Sequence, residues 1–124
     1  MITAIGVDIV EVARIRHLME RYGSKFVSRV LGHEEMALLR TRRDAAQFVA
    51  GRFAAKEALI KAFGTYLTDR PAFPQIEILA DGAGRPSVAC RFPLSPALAS
   101  VQMLVSISHE KSHAVAMAIL SEEE

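Results

Sequence analysis

The chain has 124 residues, 51% of them hydrophobic, which is enough for one hydrophobic core and too few for two. Charged residues interrupt every apolar stretch before the ~18 to 20 residues that a membrane-spanning helix needs, and the N-terminus does not resemble a signal segment. A formal net charge of +1 gives no indication of a nucleic-acid partner, and the single cysteine excludes an intrachain disulfide. We expect one domain over residues 1–120 and an acidic tail at 121–124, in a cytoplasmic protein without a membrane segment.

Positive charge is unevenly distributed along the chain. Removing the three negative charges of the C-terminal glutamates from the net charge of +1 leaves +4 on the other residues. The cations fall into two clusters: Arg14, Arg16, Arg21, Lys25 and Arg29, and then Arg40, Arg42, Arg43 and Arg52. These clusters form either a positive surface for an acidic partner or ordinary solvated helix faces, and composition does not choose between the two.

The first half of the chain is predicted to hold one strand followed by short helices. Residues 2–10 alternate with the period of a strand, and Asp8 lies near its end. The two faces of this strand are Gly6, Asp8 and Val10 on one side and Ile5, Val7 and Ile9 on the other. Residues 11–22 then change to helical spacing, Gly23 ends that helix, and Ser24 is positioned to cap the next one. Residues 33–40 continue as a further helical segment.

The second half is predicted to hold one long helix and two pairs of strands. The long helix runs from about Asp44 to Phe63 and ends at Gly64, with an alanine-rich interior suited to close packing. Two strand-like segments flank a turn at 81–84, and a short helix starts with Ser95 as its cap. Two more strands surround residues 109–113. This order indicates a single α+β domain with an antiparallel sheet packed on one long and several short helices.

The segment from His109 to His113 spells H-E-x-x-H, the pattern of a zinc protease. A zinc site requires this pattern on a helix with a third ligand further along. Here the flanking segments alternate as strands, and residues 110–112 suit a turn. Ala116 and Ile119 occupy the positions of the longer protease pattern, and neither can bind metal. The sequence therefore predicts His109 at the end of a strand and not in a zinc site.

Glu57 and Lys61 lie one turn apart in the long helix. The ordinary interpretation is an exposed ion pair, which stabilises a helix by about 0.3 to 0.5 kcal/mol. However, the neighbouring Phe53 places Glu57 at the edge of an apolar stripe, and Lys56 and Lys61 bracket the carboxylate. A carboxylate among cations suits a site for Mg²⁺ and phosphates, with Asp8 as a second carboxylate. Spacing alone leaves both interpretations open.

Four segments resemble the holo-acyl-carrier-protein synthases, which are small stand-alone phosphopantetheinyl transferases. They are IGVDIVEVARI near the start, FVAGRFAAKEALIKAFG in the long helix, GAGRP in the turn, and SISHEKSHAVAMAI near the end. The segments occur in the order found in that family and span residues 5–119. The resemblance therefore covers nearly the whole chain and implies a 4'-phosphopantetheinyl transferase-like fold.

The resemblance implies transfer of 4'-phosphopantetheine from coenzyme A to a serine of apo acyl carrier protein, with release of adenosine 3',5'-bisphosphate. It also implies Mg²⁺ as cofactor, a role in fatty acid biosynthesis, and a homotrimer with sites between subunits. The alternative is a non-catalytic trimeric module that binds coenzyme A or a nucleotide. The presence together of Asp8, Glu57 and Lys61 favours the enzyme, because a binding module could lose any of them.

The resemblance also implies roles for individual residues. Asp8 and Glu57 would hold Mg²⁺ against the pyrophosphate of coenzyme A, while Lys61 would bind a phosphate oxygen and assist the leaving group. The other implied contacts are Arg52, Gly84, Arg85, Pro86 and His109 with the adenosine and its 3'-phosphate, and Arg14 and Arg21 with the acidic helix of the carrier protein. The identity of the general base stays open.

Overall fold

The computed structural model describes residues 1–123, with the backbone alone at Thr65. Within this range, five strands form two antiparallel sheets. The larger sheet contains β1 (Ile2–Glu11), β4 (Val101–His109) and β5 (His113–Glu122), and the smaller sheet contains β2 (Ile76–Ala80) and β3 (Pro86–Cys90). The strand order of the larger sheet is β1-β5-β4, so the last strand lies in the middle.

Five α-helices occur within residues 1–123, and the longest of them, α4, covers one face of the larger sheet. They are α1 (Val12–Tyr22), α2 (Ser24–Val30), α3 (His33–Leu39), α4 (Ala45–Phe63) and α5 (Pro96–Ala99), with short 3-10 turns at Gly64–Tyr66 and Phe73–Gln75. None of the helices in the described range has the length and apolar character needed to cross a bilayer. The predicted α+β architecture with one long helix is confirmed.

The helix ends follow the predicted signals with one exception. Asp44 and Ser95 accept hydrogen bonds of 3.0 and 3.2 Å from backbone N–H groups in the first turns of α4 and α5. Gly64 follows α4 with a φ of 46°, a conformation that favours glycine. The prediction that Ser24 caps α2 is wrong. Gly23 ends α1 and also occupies the cap position of α2, so Ser24 becomes the first helical residue.

The core lies between α4 and the inner face of the larger sheet. Small side chains on β5 allow close packing there, and these are the buried Ala114, Ala116 and Ala118. A close approach occurs at Gly6 of β1, where a Cβ atom would lie 2.0 Å from the carbonyl oxygen of Ala58. The backbones of β1 and α4 are therefore in direct contact. Asp8, two residues further on the same face, lies beside the C-terminal half of α4.

The outer face of the larger sheet is apolar and exposed. Ile5, Val7 and Ile9 of β1 each keep between 52% and 63% of their surface exposed. In the register of the sheet they lie beside Ile119, Met117 and Val115 of β5. The predicted alternation of β1 is therefore correct, but the side with the larger apolar residues faces away from the core of the chain.

A buried ion pair links α3 to α4. Glu35 and Lys56 are fully buried, and Lys56 Nζ lies 2.5 Å from a carboxylate oxygen of Glu35. Burial lowers the pKa of Lys56, and the charge of Glu35 opposes this effect. Lys56 also donates to the carbonyl oxygen of Val30. Lys56 was expected to bracket the carboxylate of Glu57 together with Lys61, and this is wrong for Lys56. Neighbouring residues on a helix point in directions about 100° apart, so Lys56 faces the core and Glu57 does not.

The last strand continues beyond the domain boundary expected at residue 120. β5 runs through Glu122, whose backbone N–H donates to the carbonyl oxygen of Met1 at 2.8 Å. The hydroxyl of Tyr66 lies 2.7 Å from the carboxylate of Glu122 and 3.1 Å from the hydroxyl of Thr3. The first two residues of the predicted acidic tail therefore belong to the sheet. Glu124 lies outside the described residues.

We expect Gly6→Ala to reduce the free energy of unfolding by about 1 to 3 kcal/mol, as overpacking of a tight contact does. The added methyl group would meet the backbone of Ala58, which cannot rotate away. Urea unfolding followed by circular dichroism measures the change. Gly82→Ala is the matched control, because nothing lies within 4 Å of its Cβ position. Equal stability of the two variants would contradict a tight contact between α4 and β1.

Candidate functional site

The three predicted catalytic residues lie at the edge of the contact between α4 and β1. Lys61 Nζ is 3.1 Å from a carboxylate oxygen of Asp8 and donates to the carbonyl oxygen of Val7 at 3.0 Å. Glu57 precedes Lys61 by one turn and shares its face of α4. The side chains of Asp8 and Glu57 are 20% and 25% exposed, so both carboxylates are accessible but partly sheltered.

Glu57 has a partner that sequence analysis missed. Arg70, in the loop between α4 and β2, donates to Glu57 Oε1 at 2.8 Å. No sequence pattern indicated this pairing. Arg70 lies in a loop segment without hydrophobic periodicity, and only the fold of that loop brings its guanidinium to α4.

The donor chemistry of Asp8 and Glu57 fits a hard divalent cation. Mg²⁺ is commonly held by one or two carboxylates together with phosphate oxygens of the substrate. Among residues 1–123 of a single chain, no cluster of three or more His, Cys, Asp or Glu side chains is arranged to hold a metal ion. The described residues therefore suit a metal that is completed by substrate oxygens better than one enclosed by protein ligands.

A second cluster of site residues lines a cavity of about 180 Å³ beside the N-terminal half of α4. Its lining includes Arg42, Arg43, Gln47, Phe48, Arg52 and His109. The structure thus brings together Arg52 and His109, which were predicted to contact one ligand. It adds Arg42 and Arg43, which sequence analysis recognised only as part of a basic cluster. The sequence does not show where the end of β4 lies relative to α4. That placement brings His109 to this cluster.

Arg52 is fixed by contacts within the protein. It donates to the carbonyl oxygen of Ile78 at 3.0 Å, and its guanidinium carbon lies 4.4 Å from the centre of the Phe48 ring. Its Nε is buried, 3.9 Å from Glu35, without a hydrogen-bond partner among the described residues. Burial lowers the pKa of Arg52, Glu35 raises it and Arg42 lowers it further. An arginine stays charged in such surroundings, so Arg52 adds positive potential to the cavity from a rigid position.

His109 and His113 lie on opposite faces of the β4–β5 hairpin. His109 shares the side of Ile107 that faces α4, whereas His113 is on the outer face. Glu110 stabilises the turn by accepting hydrogen bonds from Ser112 and from the backbone of His113, and the pKa of Glu110 is lowered, chiefly by the hydroxyl of Ser112. The two histidines of one chain cannot converge on one ion. The predicted hairpin is confirmed, and H-E-x-x-H is not a zinc site here.

The Gly84-Arg85-Pro86 turn lies apart from this cavity within one chain. Gly84 adopts a φ of 83°, and the Asp81 carboxylate accepts hydrogen bonds from the backbone N–H groups of Ala83 and Arg85. The side chain of Arg85 is 80% exposed. The turn is not part of the cavity lining, so a single described chain does not bring it to the same ligand as Arg52 and His109.

Arg14 and Arg21 are exposed on α1, two turns apart on one face. Beside them, α1 and α2 form a groove of about 330 Å³. The groove is lined by the apolar or aromatic Leu18, Tyr22 and Phe26 and by the basic Lys25 and Arg29. Two members of the first basic cluster, Lys25 and Arg29, therefore line an apolar groove, whereas Arg16 pairs with Asp44 at 3.4 Å.

Comparison with known proteins identifies the family. A model described as the 4'-phosphopantetheinyl transferase superfamily matches residues 4–118. The chain belongs to this superfamily. Its relatives also support the more specific resemblance stated from the sequence. A holo-[acyl-carrier-protein] synthase of Chlorobium limicola is 46% identical over 118 residues, which cover 94% of this chain and 92% of the relative.

Solved structures of members of the superfamily share the fold. The holo-(acyl-carrier-protein) synthase of Bacillus anthracis, in complex with CoA (3',5'-ADP), matches with a TM-score of 0.82 and 35% identity, covering 99% of both chains. The Helicobacter pylori synthase, in complex with coenzyme A, matches with a TM-score of 0.77 and 32% identity, covering 94% of this chain and 99% of that one. The predicted family, fold and enzyme class, phosphopantetheinyl transferase, are confirmed.

Proposed function

We propose that this phosphopantetheinyl transferase moves 4'-phosphopantetheine from coenzyme A to a serine hydroxyl of apo acyl carrier protein and releases adenosine 3',5'-bisphosphate. The observation that carries the proposal is the contact between Lys61 and Asp8 beside Glu57. It places the carboxylate of Asp8 against Lys61, one helical turn from the carboxylate of Glu57, a set of groups that suits a divalent metal and a phosphate. The proposal is supported by the names of the relatives and by the coenzyme A in the related structures.

The reaction requires neutralisation of phosphate charge more than covalent chemistry by the protein. The serine oxygen bonds to the phosphorus next to pantetheine, and the bond from that phosphorus to the bridging oxygen breaks with its electron pair on adenosine bisphosphate. Mg²⁺ held by Asp8 and Glu57 would neutralise the pyrophosphate. Lys61 stabilises the charge that develops on the leaving group. The serine proton would go to a water bound by the metal or to Glu57 through a water.

The cavity beside Arg52 is proposed to bind the adenosine end of coenzyme A. Arg42, Arg43 and Arg52 supply guanidinium groups that suit the 3'-phosphate, while His109 contributes a further polar contact. Phe48 offers an aromatic surface in the same cavity. Positive charge on three arginines also favours the dianionic phosphate over a neutral nucleoside.

We propose a homotrimer with sites between subunits. The exposed apolar face of the larger sheet supports this assembly, because a stable single subunit seldom exposes so contiguous an apolar surface. Burying Ile5, Val7 and Ile9 against a second copy would remove this surface from water. The exposed Gly84-Arg85-Pro86 turn of one subunit is then proposed to complete the nucleotide site of its neighbour.

The apolar groove between α1 and α2, with its basic residues Lys25 and Arg29, is proposed to bind the acyl carrier protein. Arg14 and Arg21 would pair with carboxylates on the acidic helix of the carrier. The apolar floor of the groove would receive that helix's hydrophobic residues. Charge complementarity of this kind mainly speeds association and selects the partner.

We expect Glu57→Gln to fold normally and to lower transfer by about 100-fold or more, the scale of losing one electrostatic contact to a transition state. The mass gain of apo acyl carrier protein incubated with coenzyme A and Mg²⁺ measures transfer. Glu34→Gln, which removes an exposed carboxylate from α3, is the matched control. Turnover of Glu57→Gln like that of the wild type at low Mg²⁺ would contradict the metal-binding role. A wild-type protein that binds coenzyme A without modifying the carrier would favour the non-catalytic alternative.

We expect the double change Arg14→Glu and Arg21→Glu to weaken carrier binding steeply and to leave coenzyme A affinity unchanged. The two ligands are proposed to occupy different surfaces, so only carrier binding should respond. Isothermal titration with each ligand separates the effects. Carrier binding by the wild type should weaken as salt rises, because exposed charges are screened over about 8 to 10 Å at ordinary ionic strength. Equal loss of both affinities would show that these arginines are structural.

We expect His109→Ala to raise the Michaelis constant for coenzyme A and His113→Ala to be nearly silent. His109 lines the proposed nucleotide cavity, whereas His113 is on the opposite face. Steady-state kinetics with varied coenzyme A measures the difference. Protein purified without chelator should contain no stoichiometric zinc. Loss of activity in both variants together with one bound zinc per chain would overturn this assignment.

A further inference from the structure

The ion pair between Arg70 and Glu57 has no part in the proposed reaction. The two side chains meet at 2.8 Å, the length of a charge-assisted hydrogen bond, and Arg70 is 59% exposed against 25% for Glu57. The partner of Glu57 thus comes from a surface loop, whereas the partner of Asp8, Lys61, comes from α4 itself.

Arg70 is held in this position by contacts on its loop. Its guanidinium carbon lies 5.6 Å from the centre of the Phe73 ring, and Phe73 packs edge-on against Phe53 of α4 at 5.2 Å. Phe53 precedes Glu57 by one turn of the helix. At the start of the loop, Tyr66 is hydrogen-bonded to the end of β5. The loop is thus anchored at both ends, and Arg70 is directed at Glu57.

Arg70 and a metal ion compete for the same carboxylate. Mg²⁺ binds carboxylate oxygens at about 2.0 to 2.1 Å with strict octahedral geometry, which leaves little room for a guanidinium on the same oxygen. The positive charges of the two also repel each other. Lys61 is held more firmly beside Asp8 than Arg70 is beside Glu57. Its second hydrogen bond, to the carbonyl oxygen of Val7, keeps it on β1.

We propose that Arg70 is the counter-ion that a divalent metal must displace from Glu57, and that it thereby lowers the affinity of the protein for metal in the absence of coenzyme A. Arg70 is then a positioning residue that acts through Glu57. This inference rests on the proposed function, because it requires Glu57 to be a metal ligand. Its consequence is that the metal binds most readily together with coenzyme A, whose phosphates supply the further ligands.

Titration with Mn²⁺ alone, with free Mn²⁺ followed by electron paramagnetic resonance, tests the proposal. We expect Arg70→Gln to bind Mn²⁺ about two- to five-fold more tightly than the wild type, the range by which an exposed ion pair can compete. Arg70→Lys, which keeps the charge, should stay closer to the wild type. Arg40→Gln, an exposed arginine at the end of α3, controls for the loss of one positive charge. A residue that merely stabilised the loop would not tighten metal binding when removed.

The comparison with Glu57→Gln separates failure of this proposal from failure of the proposed function. If Glu57→Gln abolishes binding while Arg70→Gln binds as the wild type does, or more weakly, the role of Arg70 is overturned and the metal site stands. If the wild type binds Mn²⁺ and neither change alters that binding, both ideas fail. If neither the wild type nor Arg70→Gln binds Mn²⁺ measurably, the role of Arg70 is overturned, while a metal site completed by coenzyme A stands. Equal tightening by Arg70→Gln and Arg40→Gln would also overturn the proposal, because the effect would then come from net charge alone.

Discussion

The backbone contact between β1 and α4 at Gly6 is the constraint on which the arrangement of the proposed catalytic residues depends. The carbonyl oxygen of Ala58 occupies the space that a side chain at Gly6 would fill, so the helix lies directly on the strand. This contact brings Asp8 to Lys61, although they are far apart in the sequence. The buried alanines of β5 extend the close packing across the sheet. The same feature thus packs the core and builds the site.

A single helix carries both halves of the proposed coenzyme A site. Arg52 lies toward the N-terminal half of α4, and Glu57 and Lys61 lie five and nine residues later, about 8 to 14 Å along the axis at 1.5 Å per residue. A rigid rod with groups at this spacing can hold two phosphate-bearing parts of one ligand. The buried pair of Glu35 and Lys56 fixes the rotation of α4 about its axis, because any turn would separate two desolvated charges.

The larger sheet shows why sequence alternation was only partly informative. Alternation correctly placed Gly6 and Asp8 on one face of β1 and the larger apolar residues on the other. It did not reveal that the face with less apolar surface is the one packed on α4. The helix packs closely only on small residues, which leaves Ile5, Val7 and Ile9 exposed in the single chain. The function proposed for that face, subunit contact, follows from its exposure and not from the alternation.

The sequence by itself determined the elements, most of their ends and the family. The caps at Asp44 and Ser95, the glycine after α4 and the hairpin at 109–113 depend on hydrogen bonds and periodicity among residues close in the chain. Only the tertiary structure decided which distant side chains meet. Lys56 turns into the core toward Glu35 while the adjacent Glu57 meets Arg70, and Arg42 and Arg43 join His109 across a cavity. Such partners depend on how helices and loops pack, and residue spacing along the chain does not encode that packing.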